Sequence, residues 1–586
     1  MTRRNIRRRS LATDSPDQLD PSPLLSRLYA LRGVKTSKEL DQSLESMIPV
    51  SALAGVDQAV ELLLKHFKRQ SRIIIIGDFD TDGATSTALV VRQLRCLGFK
   101  DVDFLVPNRF TFGYGLTPEI VKLAADRDPK LIITVDNGIS SVAGVDVAND
   151  LGIEVLVTDH HLPGTQLPSA AAIVNPNAPN NLFPSKSLAG VGVAFYVMAG
   201  LTRAMTQQGL VSANDCSIAQ LLDLVALGTV ADVVTLDHNN RILVAQGMRR
   251  IRASRCVPGI RAMLESANRR IENCVPADLG FQIGPRLNAA GRLDDMTLGI
   301  QCLLTDDLTQ ARAMAAQLSQ LNLDRREIEQ QMQIEAMAIL ASMQLDDEAL
   351  PLGVCLYEES WHQGVVGLVA SRVKERVHRP VIAMAKADER TLKGSARSVP
   401  GVRIRDVLDA VAVRHPGLID KFGGHDMAAG LSIGVDKLDE FRSAFDQEVA
   451  RWMTHKDAVG VVMSDGELQV NEFSLDSAKQ LREAGPWGQG FPEPLFDGEF
   501  VVIEARTLSE RHLKLKVSLA EVVCEAIYFG YFDHDDALMV ERGDQVRLAY
   551  RLDVNDFRGD QRLQLLVEYL ETVSYTHLRA HETLRY

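Results

Sequence analysis

Between residues 71 and 234 short, almost unbroken apolar runs alternate with stretches whose apolar residues recur at helical spacing. RIIIIGD (72–78), DVDFLV (101–106), LIITVD (131–136), VLVTDH (155–160) and AAIVNP (171–176) read as strands. Runs that are apolar at successive rather than alternate positions suit parallel strands covered on both faces. The intervening 84–96 and 117–125 read as helices, so the pattern predicts a doubly wound parallel sheet of the α/β class. Residues 306–343 contain neither Gly nor Pro and predict one long connecting helix or two. After Pro351 the strand and helix texture resumes (GVCLYEES, GVVGLVASRVKERV, PVIAMA), predicting a second, smaller α/β domain to about residue 452. From about 461 the texture changes to EFVVIEAR, LKLKVSL, DQVRLAYRLDV and LQLLVEYL, short alternating strands that predict a small antiparallel barrel of the OB-fold kind.

A chain of 586 residues is too long for one core, and its 46% apolar content excludes wholesale disorder. No apolar run approaches the ~18 residues of a membrane span. The boundaries expected are a tail and helical lead-in (1–48), a first α/β domain (49–300), the connecting helix (301–346), the second domain (347–455) and the barrel (456–572). Residues 573–583 (VSYTHLRAHET) resemble the frame translation of a sequencing adaptor, so 573–586 are set aside from fold reasoning. The seven cysteines never form a C-x-x-C pair and are expected as reduced thiols, which suits a cytosol. Arg3, Arg4, Arg7, Arg8 and Arg9 precede no apolar segment and read as a solvated basic tail. The net charge of −13 argues against a protein that binds nucleic acid over its whole surface, while leaving room for a local basic groove or a carboxylate cluster that holds cations.

That cluster is visible. GDFDTDG places Asp78, Asp80 and Asp82 together at a strand-to-helix turn, where an extended segment would put them on one face. Asp136 ends the strand of VDNGIS, Asp159-His160-His161 ends another, and Asp232 follows the apolar run 221–227, read as a further strand. Ligands in open α/β sheets lie beyond the carboxyl ends of the strands, so these polar loops should converge on one crevice. Several carboxylates repel unless cations lie between them. Hard oxygen donors with one or two imidazoles suit Mn²⁺ or Mg²⁺ better than zinc, and the surplus of carboxylates points to two ions and phosphoryl hydrolysis. A single Asp after a strand is often a helix N-cap, and DxDG also resembles the nucleophile loop of haloacid-dehalogenase-type phosphatases. That second pattern leaves Asp136, the His pair and Asp232 without a role.

GDFDTDGATST, VDNGISS, VTDHHLPG and LVALGTVADVV together resemble the motifs of the DHH phosphoesterase superfamily, and their context resembles its RecJ branch of bacterial exonucleases specific for single-stranded DNA. The likeness runs from Leu24 to Leu570. It implies Asp80, Asp82, Asp136, His160 and Asp232 as metal ligands, with Asp136 bridging two ions and Asp78 in a supporting or direct contact. It places His161 near the scissile phosphate as proton donor or charge stabiliser. Thr81 stands where the family more often has Ala, a change expected to be harmless.

For the substrate, VPNRFTFGYG offers Arg109 and Tyr114, and GPRLNAAGR offers Arg286, Asn288 and Arg292. GSARS and FGGHDMAAG contribute Ser395, Arg397, Gly423, Gly424 and His425, and together with WHQGVVGLVASR resemble the substrate-binding domain associated with DHH proteins. By that resemblance Arg286, Ser395 and Arg397 would hold a 5′-terminal phosphate, in a cleft too narrow for a duplex. PWGQGFPEPLF resembles the entrance to the branch's OB domain; Phe491, Phe496, Tyr528 and Phe529 could stack on bases, although barrel core is the commoner fate of such residues. The expected activity is 5′→3′ exonucleolytic release of 5′-mononucleotides from single-stranded DNA in recombination and repair. The resemblance also implies a single-strand-binding protein and a helicase as partners; a nucleoid-associated bacterial protein is expected, and a monomer is favoured although the sequence does not determine the oligomeric state. The alternatives are a DHH-type hydrolase of short oligonucleotides, cyclic dinucleotides or pyrophosphate, against which the barrel counts, and a non-catalytic single-strand-binding scaffold, which should have lost ligands.

Overall fold

The arginine-rich start is not a solvated tail. In the computed structural model, which describes residues 4–11, 18–106, 115–212, 214–342, 350–533, 539–557 and 560–572, Arg4–Arg8 form strand β1. It pairs in parallel with Gly460–Ser464. Arg8 donates from Nε and Nη2 to the fully buried Asp497, which also accepts from Ser464 Oγ at 2.5 Å and Arg547 Nη2 at 2.8 Å. Arg9 and Arg32 both meet Asp465. Basic residues read as solvated because no sequence rule revealed the acids awaiting them hundreds of positions later. Burial works against the Asp497 carboxylate, but the Arg8, Ser464 and Arg547 donors outweigh it and hold its pKa down at about 2. Stability from this contact is therefore present above the ordinary value of 3.8 and is lost as pH falls towards 2. Asp497→Ala is expected to destabilise the fold by about 1–3 kcal/mol, since it removes a buried carboxylate that accepts from Ser464, Arg8 and Arg547; a thermal midpoint unchanged at neutral pH would refute this account.

The chain divides into two compact units, Val34–Arg325 with Gly485–Glu493, and Met1–Gly33 with Arg326–Ala484 and Pro494–Tyr586. The first is built on β2 (Ile73–Gly77), β3 (Val102–Leu105), β4 (Leu131–Val135), β5 (Glu154–Thr158) and β6 (Ala172–Val174). They form one parallel sheet in the order β3-β2-β4-β5-β6. Every residue of β2 and β4 is buried, as their unbroken apolar character requires. The register sets Gly77 beside Val135, Val135 beside Thr158, and Thr158 beside Val174. The residues that follow, Asp78, Asp136, Asp159 and Asn175, therefore leave the sheet along one edge.

Two local expectations change. The apolar run before Asp232 belongs to a helix, Leu222–Ala231, and Asp232 caps its C-terminus. All residues from Leu222 to Thr229 are buried, so this helix has no polar face to betray its period. Nor do the three aspartates of GDFDTDG lie along one extended segment: Asp80 is the N-cap of the helix Thr81–Cys96, and Asp82 already stands in its first turn. Cys96 at the end of that helix is joined to Cys216 by a disulfide, with Cα atoms 5.7 Å apart, where only reduced thiols were expected. The sequence separation of 120 residues hid the proximity, because it is created by packing and not by spacing.

The second unit carries the rest. A single helix, Leu308–Ser342, takes up nearly all of the stretch free of Gly and Pro, its residues to Arg325 belonging to the first unit and those from Arg326 to the second. Beyond it β7 (Val354–Tyr357), β8 (Val381–Lys386), β9 (Thr391–Arg397), β10 (Lys421–His425) and β11 (Ala428–Gly434) make a mixed sheet in the order β10-β11-β9-β8-β7. β12 (Gly460–Ser464) receives β1. Finally β13 (Phe496–Leu508), β14 (His512–Leu519), β15 (Val522–Tyr528), β16 (Gln545–Phe557) and β17 (Asp560–Thr572) close a barrel in the order β13-β14-β15-β17-β16. Its β15–β17 pair is parallel, so the barrel is not wholly antiparallel. Among the described residues no single helix is long and apolar enough to cross a membrane.

Candidate active site

At the carboxyl edge of the parallel sheet the aspartates and histidines meet in three overlapping groups, each with ligand atoms within 4.8 Å of one another: Asp78, Asp80 and Asp136; Asp136, His160 and His161; Asp82, His160 and Asp232. His160 Nε2 lies 3.1 Å from Asp136 Oδ1, 3.6 Å from Asp232 Oδ2 and 4.0 Å from Asp82 Oδ2. Asp136 and His160 are each common to two groups, which is the arrangement needed to serve two neighbouring cations. The chain runs Asp136 at φ +61° and the β-branched Val233, next to Asp232, at φ +60°. Left-handed backbone is costly at such residues and is kept only where its surroundings impose it.

Glycines make the approach possible. A Cβ on Gly190 would stand 2.7 Å from both Cβ and Oδ1 of Asp136, and one on Gly228 would stand 2.8 Å from Asp82 Oδ1. Asp82 also accepts from the backbone N–H of Gly190 at 2.7 Å and of Val191 at 2.9 Å, at the start of the helix Gly190–Gln207. Neither glycine was legible as a site residue. Asp159 was also missed, although it organises the His pair. Its Oδ1 accepts from the N–H of His160 at 2.7 Å and from that of His161 at 3.1 Å, and meets His161 Nδ1 at 2.8 Å; its Oδ2 accepts from Ile139 N at 2.9 Å. Asn175 and Asn177, in the segment after β6, donate to the carbonyls of His161 and His160. The signal for Asp159 was its place before His-His; for the asparagines there was none.

The electrostatics are those of a site built around positive charge. Burial, followed by the charge of Asp80, pushes Asp82 up to about 7. Burial and the neighbouring carboxylates raise Asp136 and Asp232 well above the usual range. Burial, then His161, lowers His160 to about 4, so its imidazole is neutral and able to ligate. Burial opposes the charged form of His161 too, but the Asp159 carboxylate, aided by Asp78 and Asp80, outweighs it and lifts His161 to about 9. Among the described residues His160 Nε2 and Asp232 Oδ2 are buried with no hydrogen-bond partner. Such atoms cost free energy unless something else satisfies them. Oxygen-rich donors with one imidazole fit Mn²⁺ or Mg²⁺.

The substrate candidates divide between the units. Arg286 is held by Nε–H donation to Ser319 Oγ at 3.1 Å and by Nη1 donation to the Gln282 carbonyl. Asn288, expected on phosphate, accepts with its Oδ1 from the Thr81 N–H at 2.8 Å and the Thr81 hydroxyl at 2.7 Å, bracing the turn between Asp80 and Asp82. The hydroxyl that sets Thr81 apart is thus satisfied. Arg109 and Tyr114 lie outside the described residues. In the second unit Arg397 Nη1 donates to Ser395 Oγ at 2.9 Å and to the Ala396 carbonyl, and no carboxylate pairs with it among the described residues. Burial alone lowers its pKa. A half-buried guanidinium without an acid is suited to an incoming anion. Gly367, in the first turn of the helix Val366–Val377, leaves room for it: a Cβ there would lie 2.9 Å from both Arg397 Nη2 and Ser395 Oγ. The register sets Gly423 beside Gly430 and Gly430 beside Ser395, with His425, Ala428 and Arg397 in the next row on the same face. Gly423, Gly424 and His425 are exposed on the edge strand β10, and Gly424, at φ +146°, passes so close to Ala428 that a Cβ would clash with its carbonyl. Of the aromatic candidates Phe496 and Tyr528 are buried and Phe529 is exposed. Phe491, expected at the barrel, packs in the first unit against Trp487 and beneath Arg241.

Family models match the DHH family N-terminal domain over residues 72–229, the DHHA1 domain over 350–451 and the RecJ OB domain over 464–569. The chain is 53% identical over 576 residues to the single-stranded-DNA-specific exonuclease RecJ of Dickeya dadantii, covering 96% of this chain and 98% of that one. It is 52% identical over 570 residues to the RecJ exonuclease of Escherichia coli, with the same coverage of both. The crystal structure of RecJ in complex with Mn²⁺ from Thermus thermophilus superposes with a TM-score of 0.79 at 30% identity, covering 96% of this chain and 78% of that one. A second structure of that protein holds Mg²⁺. Sheet, barrel, carboxylate cluster and likeness along nearly the whole length agree, and the chain belongs to the RecJ family of DHH proteins.

Proposed function

We propose that this chain is a metal-dependent exonuclease specific for single-stranded DNA, working 5′→3′ and releasing 5′-mononucleotides. The observation that carries this reading is the convergence of Asp78, Asp80, Asp82, Asp136, His160 and Asp232 at one sheet edge. These residues would hold two Mn²⁺ or Mg²⁺ ions, with Asp136 reaching both. Bound there, the ions would supply an acidified water and neutralise charge on the phosphoryl oxygens. His161, kept cationic by Asp159, is suited to donate a proton or a charge-assisted hydrogen bond to the departing oxygen. Asp159 orients the ring by accepting from His161 Nδ1–H.

In the second unit Arg397 and Ser395 are suited to recognise a 5′-terminal phosphate, and in the first unit Arg286 is suited to contact phosphate. Arg397→Ala should cut the preference for 5′-phosphorylated over 5′-hydroxyl ends by roughly 10- to 100-fold, the value of a charge-assisted hydrogen bond lost. Gly367→Ala should act in the same direction more weakly, by displacing the Arg397 and Ser395 pair. An unchanged preference in Arg397→Ala would remove its role. The activity itself is tested with long strands labelled at either end, incubated with and without Mn²⁺. Mononucleotides released first from the 5′ label are expected; release first from the 3′ label, or oligonucleotide products, would overturn the reading. Beyond DNA, this enzyme is read as a nucleoid-associated monomer of the bacterial cytosol, partnered by a single-strand-binding protein and a helicase. Retention on an immobilised single-strand-binding protein tests that extension, and its absence would refute it.

A further inference from the structure

Phe281 is 72% exposed, although phenylalanine loses most by facing water. It lies in Leu279–Ile283, a π-helical turn leading into the helix Gly284–Leu293. Such turns are uncommon and occur often at functional sites. Its neighbours are packed against the aspartate cluster from two sides. Gly280, immediately before it, would meet Val230 with a Cβ at 3.3 Å, and Gly284 would meet Ala231 at 3.4 Å and the Thr81 hydroxyl at 3.9 Å. Val230 and Ala231 run directly into Asp232, and Thr81 separates Asp80 from Asp82. The Thr81 hydroxyl, whose proton goes to Asn288 Oδ1, lies 3.2 Å from the Gly284 carbonyl oxygen. Arg286 Nη1 donates to the carbonyl of Gln282, next to Phe281. One short segment therefore joins three things: residues braced on the metal-binding loops, an arginine suited to phosphate, and an aromatic ring left in solvent.

We propose that Phe281 is a substrate-contacting residue whose ring stacks on a base of the single strand beside the scissile phosphate, setting the register of the strand on the metal centre. This deepens the nuclease reading above and rests on it. A ring stacks on any base, so it aids binding without demanding a sequence, as an exonuclease that degrades strands of any sequence requires. A duplexed base would be stacked and paired already, so the same contact favours single strands. The Phe281 ring is not needed for the core, and its removal should leave the fold intact.

The test compares wild type, Phe281→Ala and Phe281→Trp on two 5′-phosphorylated strands, one of thymidines and one whose first nucleotides are abasic. On the thymidine strand Phe281→Ala should lose roughly 5- to 100-fold in kcat/KM, the range for one stacked base, while Phe281→Trp stays near wild type. On the abasic strand wild type and Phe281→Ala should be equal within about twofold. Thermal midpoints should match throughout. Equal activity of Phe281→Ala and wild type on thymidines, or an equal loss on both strands, would overturn the proposal while leaving the nuclease reading standing. Wild-type protein inert on both strands would overturn both.

Discussion

Asp136→Ala is expected to yield a folded protein whose hydrolysis of single-stranded DNA is slower on the order of 10⁴-fold, the scale of losing a member of a catalytic unit. Asp136 belongs to two of the three ligand groups, so its loss should disable both cation positions and not only one. The fold should survive because the side chain is held in the native state against its own preferences. Burial and four neighbouring aspartates disfavour its charge. The metal-free variant should therefore melt no lower than metal-free wild type. Mn²⁺ should raise the melting temperature of wild type by mass action and barely move the variant. His160→Ala should behave alike, since its Nε2 faces Asp82, Asp136 and Asp232. Turnover retained in either variant, or Mn²⁺ stabilisation undiminished in Asp136→Ala, would dissolve the proposed centre.

Gly190→Ala should cost roughly 10²- to 10³-fold in kcat, although the residue carries no chemistry. Its new methyl would need the space 2.7 Å from Asp136 Cβ and Oδ1, and its N–H is a hydrogen-bond donor to Asp82 at 2.7 Å. Displacing that helix start by a few tenths of an ångström would disturb both carboxylates together. The expected signature is a weakened response to Mn²⁺ concentration, with far-ultraviolet circular dichroism unchanged. A kcat within about twofold of wild type would mean that the Asp136 side chain has a freedom that close packing denies it.

The strands of the first unit were legible because a parallel strand covered on both faces must be apolar at successive positions, and 73–76 and 131–133 are. The helix Leu308–Ser342 was legible because nothing in it breaks a helix. Leu222–Ala231 was misjudged for the complementary reason: burial on all sides erases the polar face that tells a helix from a strand. The basic start was misjudged because Asp465 and Asp497, which receive Arg9 and Arg8, lie 456 and 489 residues away from them.

By itself the sequence determined which chemistry could occur. Aspartates and histidines placed directly after apolar runs follow from the chain's local alternation, and local alternation is written residue by residue. Only the tertiary structure decided how that chemistry is shared out: Asp82 with His160 and Asp232, Asp78 and Asp80 with Asp136, Asp159 beneath the imidazoles, and Gly190 where a methyl group would not fit. Those relations depend on strand register and on helices packing to within a van der Waals contact. Such distances arise between residues far apart in the chain, where spacing along the sequence carries no length information.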